Sequence, residues 1–291
     1  MRVTVTAAST GSLARKRPMS KSLAVICSVP WMSGMRIIFL SCLAIIGICA
    51  CTPHADDSVS VQFKLQNGTE EVGTVRDLRF YVSDIELLDQ AGRAYPLSLR
   101  SDQQWQSERV ALVDMVGENS NISIRGEVGN AAFSGIRFTM GVPLELNHAN
   151  PMIAAAPLNR GDLFWSWQSG YKFLRVDLAD SAGEWSFHLG STGCVSASAV
   201  RAPASPCAQP NRVKVELRGF DPTRHPVLVR ADEFFRSMHA PGSGTCTGNY
   251  ANDPACADVY TKTGLRPQDG QCEAECRHQR LFSAPEERDA E

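Results

Sequence analysis

Several things are scarce in this chain of 291 residues, and each scarcity excludes something. No apolar run reaches the roughly 20 residues that a membrane-spanning helix needs. No sign of charge dominates: 29 Lys and Arg stand against 31 Asp and Glu, a formal net charge of −2. Without a basic stripe, nucleic acid is not an expected partner. The chain has no Gly-x-Ser-x-Gly, phosphate-binding loop, GxGxxG or His-x-x-x-His arrangement, which argues against hydrolase, nucleotide-hydrolysing and dinucleotide chemistry. The chain is therefore not expected to be an enzyme. Cys-x-x-Cys-His is missing too, so no c-type haem of its own is expected. Internal repeats and long low-complexity stretches are also absent.

One short apolar stretch is present. Met35-Arg36 opens the run Ile37–Ala50, which has the length of an export signal's apolar region. The run ends in Ile48-Cys49-Ala50-Cys51, which reads as a bacterial lipobox with Cys51 as the lipidated residue. Thr52 follows rather than an Asp, so the usual inner-membrane retention signal is missing. Residues 1–50 are thus expected to be an export segment starting at Met35, and 51–57 a tether. Residues 58–291 are then a single β domain with a Cys-rich tail over 240–291. The expected location is the periplasm, with a lipid anchor in the outer membrane as the sole membrane contact.

The chain has ten cysteines. Cys27, Cys42, Cys49 and Cys51 lie in or before the export segment, leaving Cys194, Cys207, Cys246, Cys256, Cys272 and Cys276. An even number in an exported chain reads first as disulfides. Proximity pairs Cys194 with Cys207 and Cys246 with Cys256. Each such loop is worth roughly 2–3 kcal/mol by loop entropy. Cys272 and Cys276, followed by His278, allow either a further disulfide or a Cys/Cys/His metal site. Exported proteins more often oxidise such a pair.

Alternation of apolar and polar residues dominates the rest. Val59–Leu65, Leu78–Leu87, Arg109–Asp114, Asn121–Val128 and Gly135–Val142 read as half-buried strands. Tyr171–Leu178 and Glu184–Leu189 read as a hairpin, and Lys214–Leu217 as another strand. Arg230–His239 is a helix candidate, opened by Asp232-Glu233 and ended before Pro241-Gly242. The expected fold is mainly β: an antiparallel β-sandwich with long disulfide-stapled loops.

Residues able to carry chemistry gather in two stretches. Leu163–Asp177 contains Trp165-Ser166-Trp167, whose rings face the same way if the segment is extended. The plain reading of Trp165, Trp167, Tyr171, Phe173 and Trp185 is core. Phe187–Cys194 contains His188, set opposite to the Trp185, Phe187 and Leu189 row. His148 lies in the turn-like Leu144–Asn150. A single His is usually no ligand, but two in aromatic surroundings suit copper, because imidazole nitrogens are good copper ligands. Ser191 lacks a recognisable base and reads as turn chemistry. His54, His225 and His239 are weaker candidates.

These stretches, together with Asp77–Asp84, Val110–Asp114, Phe138–Pro143, Leu146-Asn147-His148 and Gly219-Phe220-Asp221, resemble the MbnP-like family. Such proteins are also described as the four-Cys member of a metallo-mystery pair. The matches run in order over about 200 residues and include Cys194, Cys207, Cys246 and Cys256 as the four cysteines. The resemblance implies a periplasmic copper-binding protein of bacterial copper homeostasis. It implies a dihaem partner of the MauG/MbnH type, which oxidises a tryptophan to kynurenine. Trp165 and Trp167 are the best-placed tryptophans here, with Trp105 and Trp185 also present. His148 and His188 are the expected metal ligands. Many members carry a His in the first strand and a Cys shortly after it, whereas Val61–Gly68 here has neither; if that His ligates copper in the family, this chain has lost or replaced a ligand. The competing reading is a metal-free β-sandwich lipoprotein that serves as a binding or envelope-structural module.

Overall fold

A computed structural model describes residues 57–66, 74–179, 181, 183–231, 244–248, 250 and 254–286. The lipobox, Cys51, His54, His239 and nearly all of the expected 230–239 helix lie outside these residues. Among the described residues no helix is long and apolar enough to cross a membrane. The strands are β1 (Ser58–Gln66), β2 (Thr74–Asp89), β3 (Ala94–Pro96), β4 (Ser98–Leu99), β5 (Val110–Asp114), β6 (Ser123–Glu127) and β7 (Phe133–Met140). They continue with β8 (Phe164–Ser166), β9 (Gly170–Ala179), β10 (Glu184–Gly190), β11 (Val213–Arg218), β12 (Val227–Arg230), β13 (Gly244–Thr247) and β14 (Phe282–Ser283). Among the described residues the α-helices are short, α1 (Leu144–Asn147) and α2 (Pro254–Thr261), and they interrupt the loops.

The strands form two sheets. The smaller runs β14-β12-β1-β6-β4, and the larger β11-β7-β2-β9-β10-β13, with β3 and β5 paired to β2 and β8 to β9. The architecture is the expected mainly β sandwich, but it is not purely antiparallel. β12 runs parallel to β1, and β13 parallel to β10. Both strands arrive after long excursions, and parallel partners need such crossovers whereas hairpins do not.

Alternation along the strands sorts residues between the faces. Leu78, Phe80 and Val82 of β2 face the space between the sheets, while Tyr81 faces away. In β5, Ala111 and Val113 face inward and Val110 and Leu112 outward. Inside the sandwich Phe63 meets Phe80 and Phe138 edge to face at 5.5 and 6.0 Å, and Phe282 meets Phe80 and Phe138 at 5.2 Å each. Such pairs add about 0.5–1.5 kcal/mol each beyond area burial. Outside the larger sheet a second apolar cluster forms from Tyr81, Val110, Leu112, Val142, Leu158, Leu163, Tyr171 and Phe173. The segment after β7 folds over that face and supplies Leu158 and Leu163, so the larger sheet is locally buried on both sides.

The Cys-rich C-terminal part is not the loop-like tail that its Gly, Pro and Cys content suggests. It adds β13, α2 and β14, and places Tyr250, Val259, Tyr260, Leu265 and Phe282 in the sandwich core. Disulfides join Cys194 to Cys207, Cys246 to Cys256 and Cys272 to Cys276.

Candidate functional site

The outer cluster carries a polar lock that positions the site. Asn147, at the end of α1, is only 1% exposed. Its Oδ1 accepts a hydrogen bond from the Tyr171 N–H at 2.9 Å, and its Nδ2 donates to Ser191 Oγ at 3.2 Å. Ser191 Oγ in turn donates to Pro210 O at 3.0 Å. Gly170 is required beside it: its φ is +77°, and a Cβ there would lie 2.5 Å from the Asn147 side chain. Asn211 makes the second lock, donating to Gly190 O at 2.7 Å and accepting from the Tyr260 hydroxyl at 2.8 Å. A buried amide left unpaired costs about 1–3 kcal/mol, so these pairings hold the loops in one arrangement.

His148 follows Asn147 directly as the C-cap of α1. Its Nδ1 lies 3.1 Å from the carbonyl oxygen of Trp167, which can only accept, so Nδ1 carries the proton. Nε2 is then the lone-pair nitrogen. It sits 3.3 Å from Asn147 Nδ2 and 3.6 Å from Cys207 Sγ. Burial pushes the His148 pKa down, and the Trp167 hydrogen bond offsets only part of that. The ring is therefore neutral at neutral pH. A ring nitrogen pinned by a backbone carbonyl, with the other left basic, is the usual arrangement of a histidine ligand. His148, Cys194 and Cys207 place their ligand atoms within 4.8 Å of one another.

The Trp-Ser-Trp segment does not stay extended. β8 ends at Ser166, whose Oγ accepts from the Ser169 N–H at 3.1 Å and closes a turn. The two indoles differ in exposure. Trp165 is half-buried and lies over Gly190, where any Cβ would strike its ring. It lines a cavity of about 460 Å³ with Ser191, Thr192, Cys194 and Thr247. Trp167 is 39% exposed. The turn is tied to the loop between Cys194 and Cys207, since Gln168 N–H donates to Ala199 O at 3.3 Å and Gln168 Nε2 to Cys194 O at 2.9 Å. Most of the exposed large apolar side chains sit on the three segments that meet here: Leu144, Met152, Ile153, Trp167, Val195 and Val200.

His188 occupies different ground. It faces outward from β10, while Phe187 and Leu189 enter the core, as the alternation predicts. Its Nε2 donates to Asp177 Oδ1 at 3.0 Å, and Arg175 holds the same carboxylate at 2.7 Å. Burial raises the Asp177 pKa, but hydrogen bonds from His188, Ser186 and Arg175 outweigh it and keep the carboxyl well below the usual range. The ladder continues from Arg175 to Asp77 at 3.0 Å and from Arg79 to Asp77 and Asp162 at 2.5 Å each.

The structure thus brings His148 together with Trp167, Cys194 and Cys207. His188 has its own partners, and among the described residues no group of three potential ligands contains both histidines. Trp105 stacks under the Arg160 guanidinium at 4.6 Å, and Trp185 packs on Gly244. The locking residues Asn147, Asn211 and Ser191 were not legible as such. Asn147 stands beside His148 in the sequence, but nothing local says that its amide reaches Tyr171.

Comparison with known proteins follows the same outline. A sequence model of the MbnP family matches residues 52–247. None of the curated proteins compared with the chain matches it. Among solved structures, MbnP from Methylosinus trichosporium is similar, with a TM-score of 0.63 and 24% sequence identity over 76% of this chain and 93% of that one. That likeness bears on the fold.

Proposed function

The chain belongs to the MbnP family, and from that premise we propose that it binds one copper ion in the bacterial envelope and serves copper homeostasis as a binding protein, not a catalyst. The carrying observation is His148. Its Nδ1–H is fixed by Trp167 O, its Nε2 lone pair is unprotonated, and burial keeps it so. Imidazole nitrogen in this setting suits copper, which supplies a strong preference for such donors. His188 is kept as a second candidate ligand on the family resemblance alone: Asp177 holds its Nε2, and it stands outside the group formed by His148, Cys194 and Cys207.

We further propose that Trp165 or Trp167 is oxidised to kynurenine by a dihaem protein of the MauG/MbnH type, and that the change strengthens copper binding. An indole N–H only donates and offers a metal no lone pair, whereas the kynurenine amine and ketone both do. Two features support this reading. The Trp167 carbonyl already contacts His148, and the surrounding apolar side chains, Met152, Ile153 and Val200 among them, suit the approach of a protein partner. The proposed setting is the periplasm, with Cys51 lipidated for outer-membrane anchoring.

Copper titration of the purified protein and of His148→Ala and His188→Ala tests the ligands. Unchanged affinity in both variants would place the copper elsewhere. For the modification, protein co-produced with the partner should gain one oxygen and lose one carbon within the peptide spanning 163–172. An unmodified peptide together with no copper binding would favour the metal-free module, the reading that the missing first-strand histidine supports.

A further inference from the structure

We propose that the Cys194–Cys207 disulfide is a redox gate on His148, and that its reduction opens a Cys2His site for copper(I). The proposal rests on reading His148 as a metal ligand and adds two ligands and a switch to it. As a disulfide the two sulfurs are neutral and poor donors, and His148 stands alone. As thiolates they are the soft donors that select copper(I).

The histidine already stands at ligand spacing from one of the sulfurs, and the two sulfurs, 2.01 Å apart as a disulfide, part on reduction. With metal–sulfur and metal–nitrogen lengths of about 2.3 and 2.0–2.1 Å, tetrahedral ligands lie about 3.6 Å apart. His148 Nε2 and Cys207 Sγ are separated by 3.6 Å, and Cys194 Sγ lies within 4.8 Å of the same group. The ring is held in place from behind by Trp167 O at 3.1 Å. Breaking the S–S bond does not release the cysteines from one another. Thr192 and Gln209 exchange backbone hydrogen bonds of 2.9 and 3.0 Å, and Ala208 N–H donates to Gly193 O at 3.2 Å. The stems of this loop are therefore pinned without the bridge. Copper(I) is satisfied by three ligands, and three are present.

Access is asymmetric. Cys207 is 6% exposed, whereas Cys194 is half-buried at the lip of the cavity beside Trp165. A dithiol reductant, protein or small molecule, would attack Cys194 Sγ and expel the Cys207 thiolate. Its second thiol would then resolve the mixed disulfide. The bridge gains two electrons and two protons, and the reductant loses the same and becomes a disulfide. Binding of copper(I) then displaces the two thiol protons.

The test is anaerobic competition for copper(I) against bicinchoninate. It uses the full chain before and after reduction with dithiothreitol, with near-ultraviolet circular dichroism as the check on folding and alkylation mapping to show which cysteines are free. Reduced protein should hold copper(I) at least a hundredfold more tightly than oxidised protein. In the reduced state His148→Ala should lose at least tenfold, and Cys194→Ser/Cys207→Ser should lose the gain entirely while remaining folded. Equal affinity before and after reduction overturns the proposal. So does a reduced His148→Ala that matches the reduced parent, because the thiols would then bind without the histidine. Loss of the folded spectrum on reduction overturns it as well. Failure of the copper reading for the oxidised protein is separate: there the oxidised chain ignores copper(II), whatever the reduced chain does.

Discussion

Between the sheets, Phe63, Phe80, Phe138 and Phe282 meet edge to face. On the outer side of the larger sheet, Tyr81, Tyr171 and Phe173 pack just as completely, but under a lid whose course is set by Asn147, Ser191 and Asn211. Both regions are buried and aromatic. They differ in what decides the conformation of the chain around them. In the interior, strand register does it, and many hydrophobic residues of similar volume would serve. On the outer face, segments of little regular structure are held by single amides and one bridge, and they carry His148 just past α1 and Trp167 just past β8. A stable sheet is the base, and a few directional bonds aim the chemistry.

Substitutions that act on one region and spare the other sharpen this contrast. Phe80→Ala should have the largest effect, a loss of about 3–5 kcal/mol of stability from the buried ring and the cavity left behind. Denaturant unfolding measures it, and copper binding per folded molecule should not change. Removing the bridge in Cys194→Ser/Cys207→Ser should cost about 3 kcal/mol by loop entropy. A loss well beyond that loop-entropy figure would mean that the bridge also supports the interior. Asn147→Ala strands the Tyr171 N–H and should cost about 1–3 kcal/mol. Here hydrogen exchange should rise at 144–171 and not in β1 or β12, and a global rise would erase the distinction between the regions. His148→Ala should leave stability nearly as it was and weaken copper binding at least tenfold, about 1.4 kcal/mol.

The smallest effect concerns Asp177. Its folded carboxyl lies below the unfolded value, so its contribution is present above the ordinary carboxylate pKa of about 3.9 and is lost as the pH falls through the folded one. The parent should therefore lose melting temperature on acidification below about pH 4 more steeply than Asp177→Asn. Identical slopes would show that the His188–Asp177–Arg175 ladder does not stabilise the outer face.

Much of the interior was legible. The alternation over Val59–Leu65, Leu78–Leu87, Gly135–Val142 and the 171–189 hairpin marks β1, β2, β7, β9 and β10, because a strand buried on one face must repeat every second residue. Short strands such as β3, β4, β8 and β14 leave no such trace: two or three residues do not show a period. β12 and β13 were missed because their pairing depends on partners more than a hundred and about sixty residues away in the chain. The turn at Trp167 was hidden for a similar reason. Trp165-Ser166-Trp167 alternates like a strand, and only the Ser166–Ser169 bond and the Gly170–Asn147 contact bend it.

By itself the sequence determined the β class, the strand faces, the outward aspect of His188 and the nearest-neighbour pairing of the cysteines. These rest on local period and on short chain separation. Only the tertiary structure decided that His148, rather than His188, comes to lie against Cys207 and the Trp167 carbonyl, and that Trp165 is half-buried while Trp167 is exposed. Those contacts join residues 19 and 59 positions apart. Bringing such distant segments together is the work of the sheet's outer face and its buried amides, and no local pattern carries that information.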